Sequence, residues 1–458
     1  MRIVLALLFG LASVWIMTIG GRAHADDWPQ WLGPKRDGIW RENGILDKFP
    51  PGGPKIVWSQ QIGEGYAGPA VASGKVFITD RVRAPGEKNP ADAFGRSHVR
   101  GSERVLCLDK ASGKVLWKHE YDCPYQVSYP AGPRATPVID GNRVYTLGTM
   151  GDLLCLDKNN GKVIWSRNLP KDYTVEIPTW GFAASPLIDG DLLICLVGGK
   201  GSVAVAFQKD SGKEVWRALS AREPGYAPPM IYTIGGPRQL IIWHPESVNS
   251  LEPATGKLYW SFPFTNRARS QLKAGLAVPT PRLDGDLLFL TAFYEGPLML
   301  KLNGTQRPTQ LWRGKGRGEL PEQTDGLHSI IPAPIIKDGY IYGVCSYGEL
   351  RCLEESTGKR IWQTYQATGG QSLRWANAFL VENRGRFFLF NEQGDLIIAR
   401  LTPKGYAEIS RANILTPTNT MAPPPGRKVI WSHPAFAGRC CFARNDKQIV
   451  CVSLAASQ

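Results

Sequence analysis

From Lys55 onward the chain is a succession of short apolar runs, each cut off by a turn residue. The clearest stretch reads Pro137-Val138-Ile139-Asp140-Gly141, then Arg143 to Leu147, then Asp152 to Asp157, then Gly161-Lys162-Val163-Ile164-Trp165. Runs of this length, rich in branched residues and bounded by Asp-Gly and Asn-Gly, predict β-strands joined by tight turns that need positive φ. Each such unit therefore holds four short strands.

The unit recurs. Its closing tryptophans are Trp58, Trp117, Trp165, Trp216, Trp260, Trp312 and Trp362, at intervals of 59, 48, 51, 44, 52 and 50 residues. That spacing is one four-stranded propeller blade with its loops. A degenerate copy runs from Trp375 through Phe387-Phe388-Leu389-Phe390 and Asp395 to Ala399, closing at Ala407-Glu408-Ile409, with Ile409 expected in the tryptophan's place. The last stretch, His433 to Leu454, supplies only three strands, whereas Lys55 to Ser59 is a closing strand with no blade before it. Pairing the two removes both unpaired edges. The expected fold is all-β: an eight-bladed propeller of four-stranded antiparallel blades, closed by an N-terminal strand in the C-terminal blade. The seven tryptophans are then blade-docking residues, because a repeated aromatic beside a repeated Gly-Lys turn answers to packing.

Upstream of the repeats the pattern changes. Arg2, the apolar run Ile3 to Ile19, and Ala23-His24-Ala25 have the three-part build of a secretory signal peptide over residues 1–25. A retained membrane anchor is the alternative, since the run is nearly long enough to span a bilayer. The first cysteine is Cys107, so no cysteine stands at the cleavage point to carry lipid. No later segment is apolar for long enough to cross a membrane. The expected organisation is a signal peptide over 1–25, an entry segment over 26–54 and the propeller over 55–458. The mature chain is expected in the periplasm or outside the cell, with no stable membrane insertion.

Composition adds charge and a cysteine count. Lys and Arg number 54 against 40 Asp and Glu, a formal charge of +14, of which +12 remains after residue 25. Such a balance favours anionic surroundings such as acidic glycans or envelope polymers. The basic clusters Arg267-Ala268-Arg269 and Arg313 to Arg317 fall between repeats and read as solvated loops; no nucleic-acid motif is present. Nine cysteines cannot all pair within one chain. Cys107, Cys155, Cys352 and Cys451 recur at one place in separate repeats, as small core hydrophobes too far apart to bridge.

The repeats Leu108 to Trp117 (Leu-Asp-Lys-Ala-Ser-Gly-Lys-Val-Leu-Trp) and Leu251 to Trp260 (Leu-Glu-Pro-Ala-Thr-Gly-Lys-Leu-Tyr-Trp) resemble the tryptophan-docking motif of the pyrroloquinoline quinone (PQQ) propeller superfamily. The start Asp27-Trp28-Pro29-Gln30-Trp31-Leu32-Gly33-Pro34, with Arg36-Asp37-Gly38, is similar to the entry segment of a planctomycete-type group of exported PQQ-like repeat proteins. The resemblance spans the mature chain. It implies one of two lives: an alcohol or sugar dehydrogenase holding PQQ and calcium over the propeller axis, or a cofactor-free scaffold like the propeller lipoprotein of the β-barrel assembly machinery. Fold alone does not choose between them.

The residues favour the scaffold. PQQ chemistry needs a calcium held by carboxylate and amide oxygens, and Glu176, Glu223 and Asp325 form no set around one ion. The vicinal Cys440-Cys441 aligns with the second strand of the last blade, whereas the dehydrogenases' redox pair lies in an early one. No catalytic residue, metal site or cofactor is assigned. Chemistry gathers instead just before the inner strands, where a propeller lines its channel mouth. Tyr66, Arg134, Tyr226 and Trp431 stand three residues before the aligned Pro69, Pro137, Pro229 and Pro434, Trp375 holds that place in the degenerate copy, Trp180 and His328 lie three further back, and His433 directly before Pro434. Aromatic rings with an arginine and two histidines suit a sugar or an anionic ligand. The expected function is an exported, non-catalytic scaffold binding an envelope protein or glycan at this mouth. A PQQ- and calcium-dependent dehydrogenase is the alternative, and a carbohydrate-active enzyme, for which no carboxylate pair can be assigned, is a third.

Overall fold

The computed structural model describes residues 27–265, 276–316 and 318–456. The segment expected to be a signal peptide, the cluster Arg267 to Arg269, and Arg317 lie outside the described residues. The rest forms eight four-stranded antiparallel sheets and one two-stranded hairpin, Asn419–Ala422 with Arg427–Val429. Blade 1 comprises Ala70–Ala72, Lys75–Arg83, Gly101–Asp109 and Val115–Asp122, in that order from the axis outward. Blades 2 to 7 repeat this plan in chain order.

Blade 8 closes the ring. Its first three strands, Ala435–Ala437, Cys440–Arg444 and Gln448–Ser453, are completed by Ile56–Gln61, with Trp58 opposite Cys451. The edges that either end of the chain would expose are thereby paired.

The docking tryptophans bind the seams through both ring and N–H. Trp117 Nε1 donates to the carbonyl of Lys158 in the next blade at 2.9 Å, Trp165 to Lys209 at 2.8 Å and Trp216 to Pro253 at 3.0 Å. Trp58, Trp312 and Trp362 make the same bond to Lys110, Glu355 and Thr402. The following Gly-Lys turn explains its glycine twice over. Gly161 has φ +71°, and a Cβ there would meet the Trp117 ring at 2.4 Å. Trp260 alone is indirect: its Nε1 donates to Gln239 Oε1 at 3.2 Å, and Gln239 Nε2 reaches the blade 5 turn at the Gly304 carbonyl, 2.8 Å away.

Blade 7 corrects one expectation. Ile398 pairs with Ser410 and Ala399 with Glu408, so Ile409 is the outward bulge residue and Ser410 holds the register of the docking tryptophan. The Phe49 N–H donates to Ser410 Oγ at 3.0 Å, and the buried Phe49 ring joins the core between blades 7 and 8. The entry segment thus supplies an aromatic where the repeat lacks one.

That segment also crosses the ring at the end carrying the first-to-second strand turns. Trp28 exchanges backbone bonds with Val71 of blade 1, and the Pro29 carbonyl accepts from Ile139 of blade 2. The buried Arg36 guanidinium donates to the carbonyls of Pro186 (2.9 Å) and Pro229 (3.3 Å), ahead of blades 3 and 4. Arg282 of blade 5 donates to the carbonyls of Arg36 and of Pro334, ahead of blade 6. Trp40 N–H bonds the Glu382 carbonyl of blade 7, and the Glu42 carboxylate accepts from Gly438 and Arg439 of blade 8. One strap therefore ties seven of the eight blades directly, reaches blade 6 through Arg282, and crosses one end of the channel. The nine cysteines are all free thiols, eight of them buried.

Candidate binding cup on the propeller axis

In a four-stranded antiparallel blade, the chain entering strand one and the turn between strands two and three lie at the same end. All eight entering loops converge here on a cavity of about 360 Å³. Tyr66, Arg134, Trp180, Tyr226, Trp375, Trp431 and His433 line it, together with four aromatics from the same end, Phe94, Tyr129, Phe293 and Tyr294. Trp31 of the strap and Phe379 are its remaining rings.

His328 does not join them. It is fully buried behind Phe293, its Nδ1 3.0 Å from the Phe293 carbonyl, and its ring lies where a Cβ on Gly296 would fall. The loop that puts Trp180 at the wall turns inward between blades 5 and 6 at His328, and makes it a packing residue.

The floor is aromatic and neutral. The Trp31 ring centroid lies 5.0 Å and that of Phe379 5.1 Å from His433, whose burial pushes its pKa down to about 4. The walls present ring faces, because the polar tips are engaged elsewhere or covered. Trp31 Nε1 donates to Thr280 Oγ1 at 2.9 Å, Trp431 Nε1 to the buried Glu392 at 3.2 Å, and Tyr226 Oη accepts from the Trp180 N–H at 3.3 Å. Tyr66 Oη and Trp375 Nε1 are buried without a hydrogen-bond partner among the described residues. Phe94, from the loop joining strands two and three of blade 1, leans edge-on to Tyr129 at 5.2 Å and to Trp375 at 5.8 Å.

Two arginines supply the charge. Arg374 lies over the Trp375 ring at 4.4 Å and is paired with Glu319. Arg134 sits 5.2 Å from the Tyr66 ring and, among the described residues, bonds only carbonyls, those of Gly132, Ser128 and Tyr129, while burial holds its pKa below the usual arginine value. Behind it a polar knot fixes the loops. Buried Glu103 accepts from Tyr121 Oη (2.5 Å), Tyr125 Oη and the Thr149 N–H, and Arg81 spans from the Tyr125 face to the carbonyls of Pro130 and Val99.

The family model described as outer membrane protein assembly factor BamB matches residues 53–207, 101–364 and 199–455. The chain belongs to the BamB-type propeller family. BamB from Moraxella catarrhalis superposes with a TM-score of 0.56 at 16% identity, covering 87% of this chain and 99% of that one. The quinohemoprotein alcohol dehydrogenase of Comamonas testosteroni gives 0.61 at 12% identity, over 94% and 81%. A computationally designed protein, Ika8, gives 0.52 at 11% identity, over 87% and 100%. At such identities the likeness shows the fold. No curated protein sequence matches the chain.

The cup of this BamB-type propeller does not fit calcium-bound PQQ. Its described lining holds no carboxylate and no carboxamide, so it has no hard oxygen set for the ion. Asp325 is spent on the backbone N–H groups of Lys315 and Gly316, and neither it, Glu176 nor Glu223 lines the cavity. Cys440 and Cys441 lie mid-blade in blade 8, outside the lining.

Proposed function

We propose that the chain is an exported, non-catalytic binding propeller whose axial cup holds an apolar group carrying a negative charge, offered by an envelope partner or ligand. The observation that carries this is the cup's composition: eleven aromatic side chains around Arg134, whose hydrogen-bond partners among the described residues are all carbonyls. Ring faces and aliphatic edges reward burial of apolar surface. A sugar offers hydroxyls that such walls leave without partners, which costs more than the stacking returns. A buried guanidinium over a tyrosine face favours an anion. Neutral glycan is therefore the weaker fit of the two ligand classes the sequence suggests.

A thermal-shift series on the purified chain tests this. Aromatic and aliphatic carboxylates should raise Tm saturably, whereas matched oligosaccharides, and PQQ with calcium, should leave it unchanged. A response confined to oligosaccharides would replace this reading with a glycan-binding one. Calcium-dependent dye reduction with PQQ and an alcohol would replace it with the dehydrogenase.

A further inference from the structure

Comparing equivalent positions around the ring exposes one seam whose charge is reversed. In blades 1, 2 and 3 the residue accepting the docking tryptophan's N–H is a lysine, and in blades 2 and 3 its ammonium reaches the inner turns. Lys158 Nζ bonds the Gly141 carbonyl at 2.6 Å and Ser73 Oγ at 3.3 Å. Lys209 Nζ bonds Asp140 of the preceding blade at 2.8 Å.

Between blades 5 and 6 the same place is held by Glu355. Its carbonyl accepts from Trp312 Nε1 at 2.7 Å, as Lys209 does from Trp165. The residue matching Asp140, the last of strand one, directly before the turn glycine and opposite the start of strand two, is Asp284 (Asp140 pairs with Arg143, Asp284 with Leu287). A carboxylate thus replaces the ammonium while the facing aspartate is kept. Glu355 is only 7% exposed, and its Oε1 is buried with no hydrogen-bond partner among the described residues. An ionised carboxylate left so is costly.

From this replacement we infer that the blade 5–6 seam is a site for a hard divalent cation of the calcium type, bridging the carboxylates of Glu355 and Asp284 where the blade 2–3 seam sets Lys209 against Asp140. Carboxylate oxygens are the donors such ions take, and solvent can complete the shell from the exposed Asp284 side. The site is remote from the axial cup and does not depend on the function proposed for it. Burial, with Asp284 adding to it, raises the Glu355 pKa to about 7, so proton and cation compete for the same oxygens near neutrality.

The test is the melting temperature of the full chain at pH 8 in EDTA and in millimolar calcium chloride or magnesium chloride. Calcium should raise Tm saturably by about 2 °C. Glu355→Lys should restore the lysine–aspartate pair, melt higher than wild type in EDTA and lose the calcium response. Asp284→Asn should lose the response as well. A wild-type Tm indifferent to both ions, or a calcium response of equal size in Glu355→Lys, would overturn the assignment. If Glu355 is simply protonated, Glu355→Gln will match wild type in EDTA and calcium will do nothing, which also overturns it.

Discussion

The guanidinium of Arg134 stands 5.2 Å from the centroid of the Tyr66 ring, and the two residues come from loops that enter different blades. Tyr66 itself lies 6.5 Å from Trp431, and Trp431 lies 6.0 Å from Tyr129, whose carbonyl Arg134 also binds. The wall of the cup is therefore a chain of rings from blades 1, 2 and 8 pinned by one cation. Its geometry depends on the closed ring, which sets the first predictions.

Seam packing should dominate stability. Trp165→Ala should lower it by about 3–5 kcal/mol, because a large ring and an inter-blade hydrogen bond are lost together. Gly161→Ala should also destabilise, by about 2 kcal/mol or more, since the methyl must displace the Trp117 ring at a positive φ. Urea denaturation of both variants checks this. An alanine at 161 as stable as wild type would show that the turn is looser than the structure has it.

Ring closure should be equally measurable. Deleting residues through Gln60 removes the strand that pairs with Gln448–Ser453 and reopens two sheet edges. Tm should drop sharply and the protein should aggregate. An unchanged melting curve would remove the account of blade 8.

His433 gives a pH dependence with a definite sign. Its folded pKa of about 4 lies below the 6.5 of a free imidazole, so the unfolded chain binds the extra proton between those values. Stability contributed by keeping this ring neutral is complete above pH 6.5 and is lost as pH falls towards 4, by up to about 3 kcal/mol. Glu355 and Asp446, with pKa values raised to about 7 and about 6, act in the opposite direction. The informative quantity is thus a difference: wild type should lose more stability than His433→Gln between pH 7 and pH 4.5. Parallel curves would place the ring outside its buried setting.

Much of this architecture was legible because propeller repeats print themselves on the sequence. The tryptophan spacing reveals the blades, and the orphan strand at Lys55 reveals the closure. The register ahead of the inner strands reveals seven residues of the cup. What the repeat could not reveal lies outside it. Trp31 and the strap reach their places through backbone and carbonyl contacts such as Arg36 to Pro186, which leave no periodic trace. Phe293 and Tyr294 sit in a strand-two to strand-three turn, which antiparallel geometry places at the mouth, so that signal was available. His328 shows the limit of counting back from a strand, because a loop long enough to bend can bury the residue that the count puts at the rim. Ile409 shows the same for a bulge, where one extra residue moves the docking position to Ser410.

Phe94 should govern exchange of whatever the cup holds. Its ring is half exposed yet braced against Tyr129 and Trp375, which themselves meet edge to face at 6.1 Å on the cup wall. Phe94→Ser should speed dissociation several-fold with little change in Tm, measured by stopped-flow tryptophan fluorescence. Unchanged dissociation would leave the ring as a bystander.

The most direct measurement is calorimetric titration with a matched pair of probes, 2-naphthoate and 2-naphthalenemethanol, which share an aromatic body and differ in charge. The wild type should bind naphthoate about 10- to 100-fold more tightly than the alcohol, the discrimination expected of a charge-assisted hydrogen bond in a buried site. Arg134→Gln should erase most of that ratio, and Trp180→Ala should weaken both probes by about 5- to 100-fold while leaving the ratio in place. Equal affinity for the two probes in the wild type, or no binding of either alongside tight binding of an oligosaccharide, would contradict the account of the cup.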